Sequence, residues 1–262
     1  MIGQNNNINT LIQWRCNKSV PRFMIISGAQ GSGRLTLAKI IIKMINAKGI
    51  IMGNSIAEVR ETIENAYTIT ESTCYIFRDA DDMKNEAKNA LLKVVEEPPN
   101  NAYFIMTVHN IDNMLDTIRS RGTVIKMEPY TIQELQKVTM DETLLKYCNN
   151  IGLINTPKEK IMQAEKCVDD VLEAFKDKSG TKLLKATTRL KAKKTDEDKV
   201  DCLIFMRIFE QKLYDYYGFC SLPLCVLKDI FSCRQELQRS SINKKASIES
   251  MLIKILETLK GE

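Results

Sequence analysis

Apolar and polar positions along the first half of the chain fall into two patterns. Arg22–Ser27, Cys74–Phe77 and Tyr103–Val108 are short, nearly unbroken apolar runs rich in β-branched and aromatic residues. They predict buried strands. Between them apolar residues recur at helical spacing. Ala87, Ala90, Leu91, Val94 and Val95 share one face of residues 85–97, and Pro98-Pro99 ends that helix. Val59, Ile63 and Ala66 do the same for Ala57–Tyr67, and further helices are predicted over Ile8–Trp14 and from Leu35 to Asn46. Strand, crossover helix and strand of this length form a βαβ unit, whose strands are parallel. Polar residues just past such strands sit where open α/β sheets bind ligands.

After Met127-Glu-Pro129-Tyr130 the pattern is helical throughout. Helices are predicted over Thr131–Thr139 and Asp141–Asn149 and from Lys158, following a loop around Asn155-Thr156-Pro157. From about residue 166, loops at Lys178–Gly180 and Lys193–Asp198 punctuate amphipathic helices, three of them over Leu203–Tyr217, Leu222–Ser232 and Ser247–Leu259. The expected organisation is an α/β domain over residues 1–127, a small helical domain over 128–165 and a second helical domain over 166–262.

Composition removes several function classes. The net charge of +5 is spread along the chain and does not by itself argue for nucleic-acid binding. Eight cysteines contain no Cys-x-x-Cys pair and stand beside a single histidine, so neither a zinc site nor another metal site is expected. Scattered thiols with no signal-peptide pattern point to reduced cysteines and a cytoplasmic location. The apolar runs are too short to cross a bilayer, so no membrane partner is expected.

The candidate chemistry begins after the first strand. Gly28-Ala-Gln-Gly31-Ser32-Gly33-Arg34-Leu35-Thr36 lies between a strand and a helix, the context of a phosphate loop. Its glycines let backbone N–H groups converge on phosphate oxygens at a helix N-terminus. Two positions depart from the working pattern. Arg34 replaces the lysine, and a planar fork is no substitute for a compact ammonium. Leu35 replaces the Ser/Thr that would supply a hydroxyl to Mg²⁺. Thr36 is rotated by about 100° from that position and points elsewhere. The loop reads as a turn that holds ATP weakly if at all.

Asn89-Ala-Leu-Leu-Lys-Val-Val-Glu-Glu-Pro-Pro99, followed by Ser120-Arg121-Gly122, resembles the AAA+ subunits of sliding-clamp loaders. Gly122 stands where that family has cysteine. Ile2-Gly3-Gln4 resembles the family's opening segment, which lies against the nucleotide base. The resemblance implies a P-loop NTPase-like parallel-sheet domain with a helical lid, followed by an all-helical collar. Asn243–Leu256 is similar to the closing collar helix. It further places Arg78 and Asp79 at the second phosphate-site motif, where active members carry Asp-Glu. Arg78 would repel Mg²⁺. Asp81 and Asp82 nearby read as solvated carboxylates at a helix start. His109 falls at the polar sensor position and reads as structural. The lid has no arginine between residues 122 and 188 to touch ATP in cis.

The resemblance places Arg121 at the family's arginine finger, which in that family reaches the ATP of a neighbouring subunit and stabilises charge there. A degenerate own site beside an intact finger most resembles the delta-prime type, here shortened and without a zinc module. The partners implied are gamma/tau-like ATPase subunits, a delta-like subunit, the sliding clamp, and primed DNA through the complex. Two other readings remain. One is an active ATPase built from Arg34, Asp79, Asp81 and Asp82. The other is a stand-alone DNA-binding protein. Lys182, Lys185, Arg189, Lys191, Lys193 and Lys194 are read mainly as a solvated helix face, with DNA contact as the alternative.

Overall fold

A computed structural model describes residues 3–147, 151–192, 196, 198–218, 222–237 and 242–261. The expectations on Ile2, on the helix end at Asn149 and on Lys193 and Lys194 lie outside the described residues. The chain divides into two compact units, residues 1–140 with 149–152, and residues 141–148 with 153–262.

The first unit is α/β. Its order is α1 (Asn5–Cys16), β1 (Phe23–Ser27), α2 (Arg34–Met44), β2 (Lys48–Met52), α3 (Ile56–Thr68), β3 (Thr73–Phe77), α4 (Asn85–Glu96), β4 (Ala102–Val108), α5 (Asp116–Arg119), β5 (Thr123–Lys126) and α6 (Ile132–Gln136). Short 3-10 turns at Ala80–Asp82 and Ile111–Asn113 follow β3 and β4. The five strands form one sheet in the order β2-β3-β4-β1-β5, with every pairing parallel. Phe23 lies opposite Phe104, and Tyr75 opposite Phe104 on the other side.

Parallel strands covered on both faces read as unbroken apolar runs. That is the state of β1 and β3, buried at every position. Their side chains still alternate. Phe23, Ile25, Tyr75, Phe77, Phe104 and Met106 face one way and pack with Val59, Leu91 and Val94 of α3 and α4. Met24, Ile26, Cys74 and Ile105 face the other way and pack with Leu11, Leu37 and Ile41 of α1 and α2. Ser55 and Glu58 close a reciprocal capping box that starts α3, and Thr131 and Glu134 do the same for α6.

Two strands, β2 and β5, were not expected. Both are sheet edges. β2 begins Lys48-Gly49 and is largely exposed, and β5 is four residues long and half-buried. Neither carries the apolar run that marks a covered strand.

The second unit is helical: α7 (Glu142–Tyr147), α9 (Lys158–Lys176), α10 (Gly180–Thr187), α11 (Cys202–Tyr217), α12 (Leu224–Glu236) and α13 (Lys244–Gly261), with α8 (Ile151–Ile154) bridging the division between units. Val168, Phe175, Phe205, Phe209, Leu213, Leu252 and Ile255 are buried in it. Phe205 stacks on Phe209 at 5.9 Å, and Phe175 meets Phe209 edge-on at 6.1 Å. The expected boundary at 165/166 falls inside α9. Ile161, Ala164, Val168 and Val171 form one buried stripe across that point, so a single helix serves a single core.

Candidate functional site: the phosphate loop and the Arg121 corner

The C-terminal edge of the sheet brings three loops together. The loop after β1 carries Gly28–Arg34, the turn after β3 carries Asp79 and Asp81, and the end of β4 carries Thr107 and His109. Gly33 has φ +94° and Gly31 φ +82°, backbone conformations that favour glycine, and α2 starts at once after them. Arg34, Asp79, Asp81 and His109 therefore meet. Thr36 is exposed, and Leu35 offers no oxygen.

The arginine turns inward. Arg34 is 8% exposed, and its Nη2 lies 3.1 Å from Asp79 Oδ1. Burial pulls its pKa down, and the carboxylates of Asp79 and Asp81 oppose that pull. Asp79 adopts φ +50° and donates its backbone N–H to Thr107 Oγ1 at 3.1 Å. His109 Nε2 stands 3.6 Å from the same Asp79 oxygen, and Nδ1 stands 3.5 Å from Asp81 Oδ1. Arg78 is exposed, with its carbonyl accepting from Asn54 Nδ2 at 2.7 Å.

Asp81 departs from its expected solvated role. Its side chain is 3% exposed, and Oδ2 accepts the backbone N–H groups of His109 (3.0 Å) and Asn110 (3.2 Å). Burial pushes this carboxyl up, but the contact with His109 and the two N–H groups outweigh it, leaving the pKa below the ordinary value. Lys88, which the motif reading passed over, is also buried. Its Nζ donates to the carbonyls of Asp81 (2.9 Å) and Asn113 (3.0 Å), tying the two turns together. Its signal in the sequence was a lysine four residues past Lys84 and three before Leu91, on the face that the helix buries.

The glycine loop itself is tightly covered. Tyr130 Oη donates to the Ser32 carbonyl at 3.0 Å, and the Gly152 N–H donates to the Gly31 carbonyl at 3.1 Å. A Cβ on Gly152 would lie 2.5 Å from Gly31 Cα, and a Cβ on Gly28 2.6 Å from Met127 Cβ. Ser32 Oγ and Arg34 Nη1 are buried without a hydrogen-bond partner. Such a cradle at a helix N-terminus suits an anion. It does not suit Mg²⁺, since Leu35 and Arg78 supply no ligand and Asp79 is held by Arg34. Among the described residues no group of three His, Cys, Asp or Glu is placed to hold a metal ion. Gln4 pairs with the Glu128 backbone. Its Nε2 donates to the carbonyl at 2.6 Å, and its Oε1 accepts the N–H at 3.0 Å.

Arg121 follows α5 and is 37% exposed in its side chain. Its Nη1 donates to the Thr117 carbonyl at 2.7 Å, and its Nη2 lies 2.6 Å from Oε1 of Glu96, the last residue of α4. The neighbouring Arg119 turns the other way, to Asp112 and Asp116. Gly122 has a packing reason to lack a side chain. A Cβ there would lie 2.8 Å from Ile25 Cδ1 and 2.9 Å from Phe23 Cε1.

Comparison with known proteins points the same way. The family described as "DNA polymerase III, delta subunit" matches residues 44–131. DNA polymerase III subunit gamma of Buchnera aphidicola subsp. Schizaphis graminum is 26% identical over 134 residues, 39% of this chain and 37% of that protein. Subunit tau of Bacillus subtilis is 26% identical over 152 residues, 46% of this chain and 27% of that one. A gamma subunit-related protein from Thermotoga maritima superposes with TM-score 0.55 at 14% identity, covering 95% of this chain and 99% of its own. Over its first half the chain is thus similar to DNA polymerase III clamp-loader subunits, and it shares their fold. RuvB of Thermotoga maritima shares the fold, with TM-score 0.52 at 16% identity over 96% of this chain and 82% of that one. The chain spans less than half the length of the curated relatives it matches first.

Two residues of the basic stretch of the second unit are paired. Lys182 meets Asp177 at 2.5 Å and Glu173 at 3.7 Å, and Arg189 pairs with Asp170. Among the described residues no helix is long and apolar enough to cross a membrane.

Proposed function

We propose that this chain is the delta-prime-type member of a clamp loader in DNA replication. It does not hydrolyse ATP itself, and it supplies Arg121 in trans to the ATP site of a gamma/tau-like neighbour. In this reading residues 1–127 and the lid from 128 stand in the AAA+ ring, and the helices after residue 166 form the collar. A delta-like subunit, the sliding clamp and primed DNA are the further partners, in the cytoplasm.

The observation that carries the proposal is the Arg34–Asp79 ion pair. It takes up the two residues that an active site would need for phosphate and for the attacking water. Arg121 meanwhile remains partly exposed. The isolated chain with Mg²⁺ and ATP should show no turnover. The complex that co-purifies with it should hydrolyse ATP, and faster with clamp and primed DNA. Turnover by the isolated chain that Gly33→Val abolishes would overturn the reading, since Gly33 at φ +94° cannot accept a β-branched side chain without strain.

A further inference from the structure

We propose that Glu96 is the positioning residue for Arg121. The inference rests on the trans role given to Arg121 above. Two elements grip the guanidinium from different sides: the Thr117 carbonyl of α5 holds Nη1 at 2.7 Å, and Glu96 at the end of α4 holds Nη2 at 2.6 Å. Gripping both terminal nitrogens fixes the plane of the fork as well as its position. An arginine with five N–H donors keeps others free for a phosphate after such a grip.

The placement of Glu96 has no local explanation in its helix. It is the last residue of α4, with Glu97 as the cap, and a carboxylate at a helix C-terminus is repelled by the helix dipole. The contact that compensates is the one to Arg121. The pair is half-exposed, with side chains 37% and 46% accessible, and ion pairs of that kind contribute little to folding. What the pair does is restrict a long, flexible side chain before a partner arrives. Alignment of a catalytic group in advance raises rate without adding contacts in the ground state. Arg119 supplies the internal comparison: two residues away, it is engaged by Asp112 and Asp116, away from α4.

The test uses the complex reconstituted from the full chain and its co-purifying ATPase subunits, with clamp, primed DNA and an ATP titration. Arg121→Ala should lower kcat by at least about a hundredfold. Glu96→Ala should lower kcat on the order of tenfold and leave the KM for ATP unchanged, because alignment is lost and ATP binding is not. Glu96→Gln should keep most of the rate, since its amide oxygen can accept the same N–H. Asp116→Ala should behave as wild type. If Arg121→Ala is slow and Glu96→Ala is as fast as wild type, the pair is only a surface contact and the inference fails alone. A faster Glu96→Ala enzyme would mean that Glu96 competes with phosphate for the finger, which also overturns it. If Arg121→Ala turns over normally, the trans role fails and the inference falls with it.

Discussion

The resemblance to clamp-loader subunits puts both Arg34 and Arg121 at phosphate-handling positions, and each is paired with a carboxylate, yet their surroundings differ. Arg34 is buried, and its partner Asp79 belongs to a connected group with Thr107, His109 and, through His109, Asp81. Arg121 lies at the surface, held by one carboxylate and one carbonyl. Asp79 is itself 36% exposed, so the difference lies in the arginines: losing its carboxylate leaves Arg34 charged and poorly solvated, whereas an exposed Arg121 is taken up by water. The same chemistry therefore sits in a buried setting in one place and at the surface in the other. In the proposed reading, Arg34 serves its own fold and Arg121 serves a neighbour.

Breaking each pair separately sharpens the comparison. Asp79→Ala strands Arg34, whose Nη1 already lacks a hydrogen bond, and should cost about 2–3 kcal/mol in denaturant unfolding. A cost within the range of a surface substitution would show that water reaches Arg34. Asp81→Asn should cost about 1–2 kcal/mol at neutral pH. Its pH dependence has a definite sign. The folded carboxyl has a pKa below its unfolded value, so its contribution is present above the unfolded pKa and is lost as pH falls through the folded one. The gap between wild type and Asp81→Asn should thus close below about pH 4. A gap that persists to lower pH would mean that the asparagine fails for reasons of shape. Gly122→Cys, which restores the family's residue, should cost about 1 kcal/mol or more, because Phe23 and Ile25 must move. Smallest of all, Arg121→Ala should change stability by no more than about 0.5 kcal/mol, read from the same unfolding curves. A larger loss would place Arg121 with Arg34 as a structural residue.

The fold was legible wherever burial writes itself into a run of residues. β1, β3 and β4 show because both their faces are covered, and α4 shows because its apolar stripe ends at Pro98. The edge strands β2 and β5 do not, since an edge has no such run to display. Nor did the sequence show that one helix, α9, runs across 165/166, because an amphipathic helix reads the same whether it closes one domain or opens the next. In the site, Arg34, Leu35 and Arg78 were legible as departures at fixed positions in a motif. Their partners were not. Asp79 reaches Arg34 across the end of β4, and Asp81 gains its two N–H donors from a turn 28 residues later. Local sequence made Asp81 a helix-start carboxylate, while tertiary packing made it a buried anchor. Glu96 was part of a quoted motif but carried no role until α5 brought Arg121 beside it.

The central claim is that this chain's arginine acts on a neighbour's ATP and not on its own. Stimulated ATP hydrolysis by complexes carrying either Arg34→Lys or Arg121→Ala tests it most directly. Arg34→Lys restores the amine of a working phosphate loop, but Leu35 and Arg78 still deny the metal, so turnover should match wild type. Arg121→Ala should assemble normally and lose at least about a hundredfold in rate. The opposite result, a gain from Arg34→Lys with no loss from Arg121→Ala, would contradict the account.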